Sequence, residues 1–201
     1  MPRTLAIIPI LHTEADMGEL AGSLRAHVGK EAWEKKTKAV NAWWDRIEEW
    51  AASLTEGAGD LKLYQDGLPD DPNAPAIVRD LAAQGSRNHV VLQNLIEAGA
   101  ELVGTEDPEL LVREYEIAKE TTEALKEGRE PDPRFAQRSE AILRRRDMYI
   151  AQRIDDTLEA SGVLFIGALH DPARYLPEDV TPDHPLGDPA NDATITGAIR
   201  S

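Results

Sequence analysis

The chain of 201 residues contains no cysteine. That excludes a disulfide framework, thiolate zinc sites, iron–sulfur clusters and thiol nucleophiles, and leaves His, Asp and Glu as the side chains for any metal. No apolar run approaches the roughly 20 residues that a membrane span requires. Met1-Pro2-Arg3-Thr4 leads into a short apolar stretch without a small-residue cleavage site, so no signal peptide is expected and the chain is read as cytoplasmic. There is no Gly-x-Ser-x-Gly elbow, no Walker loop and no Gly-x-Gly-x-x-Gly fingerprint, and Gly57-Ala58-Gly59 stops short of either glycine motif. Serine-nucleophile and nucleotide-dependent chemistry are therefore disfavoured. Basic residues are also scarce, 22 against 37 acids for a net charge of −15, which opposes binding to phosphate backbones or anionic lipid. Neither nucleic acid nor a membrane is an expected partner.

What remains is a globular composition, 41% hydrophobic and 29% charged, long enough for one sizeable core. Four short apolar runs, at 5–11, 61–64, 100–103 and 163–166, have the length of buried strands. They are separated by segments of three- and four-residue apolar spacing at 30–54, 75–98, 107–127 and 134–160. The alternation predicts an α/β fold, a mostly parallel sheet of about four strands with abundant long helices. Residues 1–170 form the expected domain, and 171–201, carrying five of the 13 prolines, an irregular tail. All four tryptophans, Trp33, Trp43, Trp44 and Trp50, fall on the 30–54 helix. Such a stripe reads chiefly as core or subunit packing, and makes this helix the candidate face of a homodimer.

The first and last strands end alike, in Ile8-Pro9-Ile10-Leu11-His12 and Ile166-Gly167-Ala168-Leu169-His170. In a parallel sheet both imidazoles emerge at the carboxyl edge, where open α/β sheets bind ligands. There they are candidate metal ligands or proton carriers. Asp66 and Glu106 close the two middle strands and add carboxylates to the same edge. Asp16 and Asp107 read better as helix caps, and Glu14 lies just beyond His12. His27, His89 and His184 lie off the strand ends and receive no role. On the 134–160 helix, Arg146 continues the four-residue ladder of Ile142, Ile150, Ile154 and Leu158. A guanidinium on an apolar stripe needs an anionic partner, either a carboxylate of the chain or an oxyanionic substrate. Asp147 borders the stripe and can orient Arg146 or His170.

The segment Arg146-Asp147-Met148-Tyr149-Ile150-Ala151-Gln152-Arg153-Ile154, followed by Gly162-Val163-Leu164-Phe165-Ile166-Gly167-Ala168-Leu169-His170, resembles the signature of the TraB, TIKI, ChaN and erythromycin-esterase-like superfamily. There an Arg-Asn or Arg-Asp pair opens a helix and a Gly-x-x-His motif closes the next strand. The match covers about 25 consecutive residues. The family's other Gly-x-x-His corresponds to Pro9-Ile10-Leu11-His12, without the glycine. Its glutamate near the end of the second strand corresponds to Asp66, or is replaced by Glu106 from the neighbouring strand. The resemblance implies an α/β protein related to metal-dependent peptidases, esterases and haem-binding lipoproteins. The expectation is a hydrolase of a small peptide, ester or amide. His12 and His170 would hold a divalent metal (Mn, Zn or Co), Glu106 or Asp66 would act as third ligand or base, and Arg146 would stabilise negative charge. The alternative is a non-catalytic ligand- or haem-binding protein on the same scaffold. Residues 134–153 carry six arginines against Glu140 and Asp147, and this local basicity makes Arg146 the expected docking point for a carboxylate-bearing substrate.

Overall fold

A computed structural model describes residues 2–13, 22, 25, 29–130, 132–189 and 191. Glu14, Asp16 and His27 lie outside the described residues. Five strands, β1 (Arg3–Ile10), β2 (Leu61–Pro69), β3 (Glu101–Glu106), β4 (Ser161–Gly167) and β5 (Val180–Asp183), form one sheet in the order β3-β2-β4-β1-β5. Every pairing is parallel. Among the described residues, α-helices span Lys30–Ala52 (α1), Ala74–Ala83 (α2), Arg87–Glu97 (α3), Pro108–Lys126 (α4) and Phe135–Thr157 (α5). None of them is long and apolar enough to cross a membrane.

The alternation of side chains along each strand builds two cores. Ile8, Ile10, Leu63, Val163 and Phe165 face α1, α2 and α3, packing on Val40, Trp43, Trp44, Ile47, Val78 and Leu92. Leu5, Ile7, Tyr64, Val103, Leu164 and Ile166 face the opposite way onto Ile150, Ile154 and Leu158. Strands buried on both faces read as continuous apolar runs, which is why β1 and β4 stand out in the sequence. Thus α1, from the β1→β2 connection, and α2 and α3, from β2→β3, cover one face, while α4 and α5, between β3 and β4, cover the other. Helices leaving neighbouring strands for opposite faces open a crevice at the carboxyl edge.

Two details depart from the sequence reading. The segment expected as one helix over 75–98 is two, broken where Gly85 adopts φ 88. That left-handed turn is one that glycine enters without penalty. The segment after residue 170 contributes β5, which pairs with β1 from Arg3↔Val180 to Ala6↔Asp183. Arg3 clamps this edge by donating to Asp179 at 2.9 Å and to Asp155 at 2.7 Å. A four-residue strand containing Pro182 is too short and too polar to register as periodic, yet an edge position tolerates it. The tryptophan stripe enters the core: Trp33, Trp43 and Trp44 are buried, and Trp50 packs against the cluster that holds Trp43 and Trp44. Adjacent Trp43 and Trp44 both fit because their indole N–H groups donate to the Pro9 and Leu11 carbonyls, each at 2.8 Å, along the exit of β1.

Candidate active site

The site begins with an irregularity in β2. Its register with β3 runs evenly to Gln65↔Gly104 and then jumps to Pro69↔Glu106, so β2 carries extra residues where β3 does not. Gly67, at φ 74, makes the bend possible. The bulge aims Asp66 across the sheet edge to β4, where Asp66 Oδ2 accepts the Gly167 N–H at 3.0 Å. A Cβ at Gly167 would lie 2.9 Å from that same oxygen, so the glycine of Gly167-Ala168-Leu169-His170 makes room for the carboxylate. Gly104 plays the same part for the backbone, since a Cβ there would lie 2.6 Å from Asp70 Cα and against the Pro69 carbonyl.

Arg146 occupies the centre. Its Nε and Nη2 donate to the two oxygens of Glu106 at 3.1 and 2.6 Å, Nη2 also reaches Asp66 Oδ1 at 2.7 Å, and Nη1 reaches Glu114 Oε2 at 2.6 Å. Glu106 is 0% exposed and Arg146 5%. Burial pushes the Glu106 carboxyl up, and the bonds from Arg146 offset this only in part. Burial works against the guanidinium charge too, but three carboxylates outweigh it and hold Arg146 firmly protonated.

Beside this cluster, His170 donates through Nδ1–H to Asp147 Oδ1 at 2.6 Å, and its Nε2 lies 3.5 Å from Asp66 Oδ1. Asp147 also accepts the Asp171 N–H at 3.1 Å, which fixes the carboxylate between the turn and the ring. Burial lowers the imidazole pKa, but the bond to Asp147 and the charge of Asp66 outweigh it, so the net shift is upward. The protonated ring then donates to Asp147 through Nδ1 and holds Asp66 within ion-pair distance of Nε2.

Against Asp66 and Arg146 lies a cavity of about 600 Å³, open at the carboxyl edge and walled also by Trp44, Gln65, Asn88 and Glu114. Gln65 donates through Nε2 to the Asp66 carbonyl at 2.8 Å, but its Oε1, like Asn88 Oδ1, is buried without a partner. An unmet buried acceptor costs about 1–3 kcal/mol, so two in one wall set that wall apart from the rest of the interior.

Arg146, Glu106, Asp66 and His170 therefore meet in one network, with Asp147 holding His170 rather than Arg146. Asp107 caps α4, its Oδ1 accepting the Glu109 N–H at 2.8 Å. The sequence reading overlooked Glu114, Gln65 and Asn88. Glu114 sits one helical turn or so past Leu110 and Leu111, a spacing that would have placed it on the inner side of α4. Register Ile10↔Gly167 sets the ends of β1 and β4 side by side, as the repeated strand endings predict. The two histidines nevertheless differ: His12 is exposed at the cavity rim, whereas the His170 ring is buried behind Asp66. Among the described residues no group of three His, Asp or Glu is arranged to hold a metal ion. The reason is geometric, because the Arg146 guanidinium fills the place between Asp66, Glu106 and Glu114 that a cation would take. A divalent metal on these carboxylates does not fit beside it. No family model, curated protein or solved structure matches the chain.

Proposed function

We propose that the chain is a hydrolase of a small peptide, ester or amide, with Asp66 as the proton acceptor, Arg146 as the electrostatic stabiliser and His170 as the residue that positions Asp66. The observation that carries this reading is Asp66 itself. It lies in the cavity wall, held by Gly167 N–H and flanked by a guanidinium and an imidazole whose far nitrogen is tied to Asp147. A water in the cavity attacks the substrate carbonyl and passes its proton to Asp66. The new C–O bond forms, the oxyanion develops toward Arg146, and the departing alkoxide or amine takes the proton back from Asp66 as its bond to carbon breaks. Arg146 supplies the positive charge that the resemblance assigns to a metal, and no step requires one.

A panel of p-nitrophenyl esters and aminoacyl coumarin amides, assayed with the full chain in EDTA and then with Mn²⁺, Zn²⁺ or Co²⁺, tests the proposal. Turnover in EDTA that falls about 100-fold or more in Asp66→Asn supports it. Turnover only with added metal, lost in His12→Ala, restores the metal-dependent form. No turnover in any arm overturns hydrolysis in favour of a binding protein, a reading that the two unmet acceptors of the cavity wall also support.

A further inference from the structure

We propose that the cavity at the carboxyl edge is built for an amine, a small ligand with a protonated N–H-bearing head and an apolar body. As a substrate class it rests on the hydrolase reading. As a binding site it stands without turnover.

The charge count is the first argument. Among the described residues, Asp66, Glu106, Glu114 and Asp147 pair with Arg146 and His170 alone, so four acids meet two cations in the network. Arg146 already serves three carboxylates, so its charge is balanced before a ligand enters and it has one N–H, on Nη1, left to offer. A carboxylate-bearing ligand, the class expected from the lone arginine in the sequence, would enter against Asp66 and Glu114 and meet an Arg146 charge that three carboxylates already balance. An ammonium meets the opposite field.

Hydrogen-bond inventory is the second argument, and it is independent of charge. Gln65 and Asn88, from β2 and α3, wall the same cavity and are 2% and 5% exposed. Each holds a carbonyl oxygen with no partner. The orientation of Gln65 is set by its Nε2 bond to the Asp66 carbonyl, so the unmet atom is an acceptor. Neither oxygen is exposed to the cavity in the free protein, but the last torsion of an amide side chain is soft, and turning about it brings the oxygen to a donor arriving in the cavity, at Gln65 in exchange for the bond to the Asp66 carbonyl. A carboxylate brings acceptors only, whereas an ammonium brings three donors. Glu114 Oε1, on a side chain 42% exposed, makes none of the bonds that Oε2 makes and offers the charged contact at the rim. Ile10, Leu11, Trp44, Leu81 and Leu111 supply the apolar remainder of the wall for the ligand body.

Calorimetric titration of the full chain near neutral pH with benzylammonium, benzyl alcohol and benzoate tests the claim. Saturable binding of benzylammonium, at least about tenfold tighter than either control, is expected. Glu114→Gln keeps an acceptor for Arg146 and should weaken it about tenfold, and Asn88→Leu should weaken it as well. Should Asn88→Leu fail to fold, Glu114→Gln at its half-exposed position still decides. Benzoate binding as tightly as benzylammonium, the absence of saturable binding, or affinity unchanged in Glu114→Gln overturns the proposal. The two readings separate cleanly. Hydrolysis that prefers succinyl over aminoacyl esters sinks the amine site and leaves the hydrolase standing. Benzylammonium binding without turnover of any ester does the reverse.

Discussion

Replacing Arg146 by methionine strips the counterion from Glu106, which is 0% exposed and has no route to water. Breaking one partner of a buried pair typically costs about 3–5 kcal/mol, because the remaining charge is left in a medium that cannot solvate it. The carboxyl has one escape, protonation, and this sets a ceiling that can be worked out. Taking a proton at a pH above the ordinary glutamate value of 4.5 costs about 1.36 kcal/mol per pH unit. The loss in Arg146→Met should therefore not exceed about 4 kcal/mol at about pH 7.5 from Glu106, and it should shrink to about 1.4 kcal/mol at about pH 5.5. Asp66 and Glu114 add less, since both retain access to solvent, with side chains 16% and 42% exposed.

Urea unfolding at the two pH values reads this directly. With a slope of about 2 kcal/mol per molar, the variant's midpoint should fall by up to about 2 M at the higher pH and by up to about 0.7 M at the lower. The double variant Arg146→Met with Glu106→Gln should recover most of the loss, because the unpaired charge is gone. A deficit that is the same at both pH values would refute the reasoning, as would a double variant no more stable than Arg146→Met. Either result would mean that Glu106 is not the charge that Arg146 neutralises.

Further expectations rest on other parts of the same edge. The His170 pKa is raised in the folded state, so its contribution to stability is complete below about pH 6.5 and is lost as pH rises through the folded value. Thermal melts across that range should show a decline that His170→Gln flattens, and a parallel decline in the variant would rule His170 out as its source. Gly104→Ala drives a Cβ into backbone, 2.6 Å from Asp70 Cα, and should cost about 3 kcal/mol. Gly167→Ala meets only the movable Asp66 carboxylate at 2.9 Å, so it should cost under about 1 kcal/mol while displacing the proposed proton acceptor. Equal stability losses in the two glycine variants would refute that distinction. Trp43→Phe leaves the Pro9 carbonyl without its 2.8 Å donor and should cost about 1–3 kcal/mol in denaturant melts.

How much of this was legible in the sequence depends on which geometry each residue obeys. Arg146 stood out because the helical period is rigid: a position four residues from Ile142 and Ile150 must share their face, and it is buried among them. The strand-end positions of Glu106 and the two histidines follow equally from the parallel sheet, whereas Asp66 lies inside β2, at its bulge. Their partners do not follow, because these depend on where β2 bulges and how the turn after β4 closes. His12 and His170 look equivalent in Ile-x-x-Leu-His, yet only His170 meets Asp147, since the helix carrying Asp147 crosses the face beside β4. The same limit separates the proposed amine ligand from the carboxylate expected of the sequence. One arginine in an apolar stripe suggests an anion when it is considered alone. Placed among Glu106, Asp66 and Glu114, it is the counterion of an acidic pocket whose two unmet acceptors ask for donors. The sign of a site is a property of the assembled shell, and no single residue in the sequence carries it.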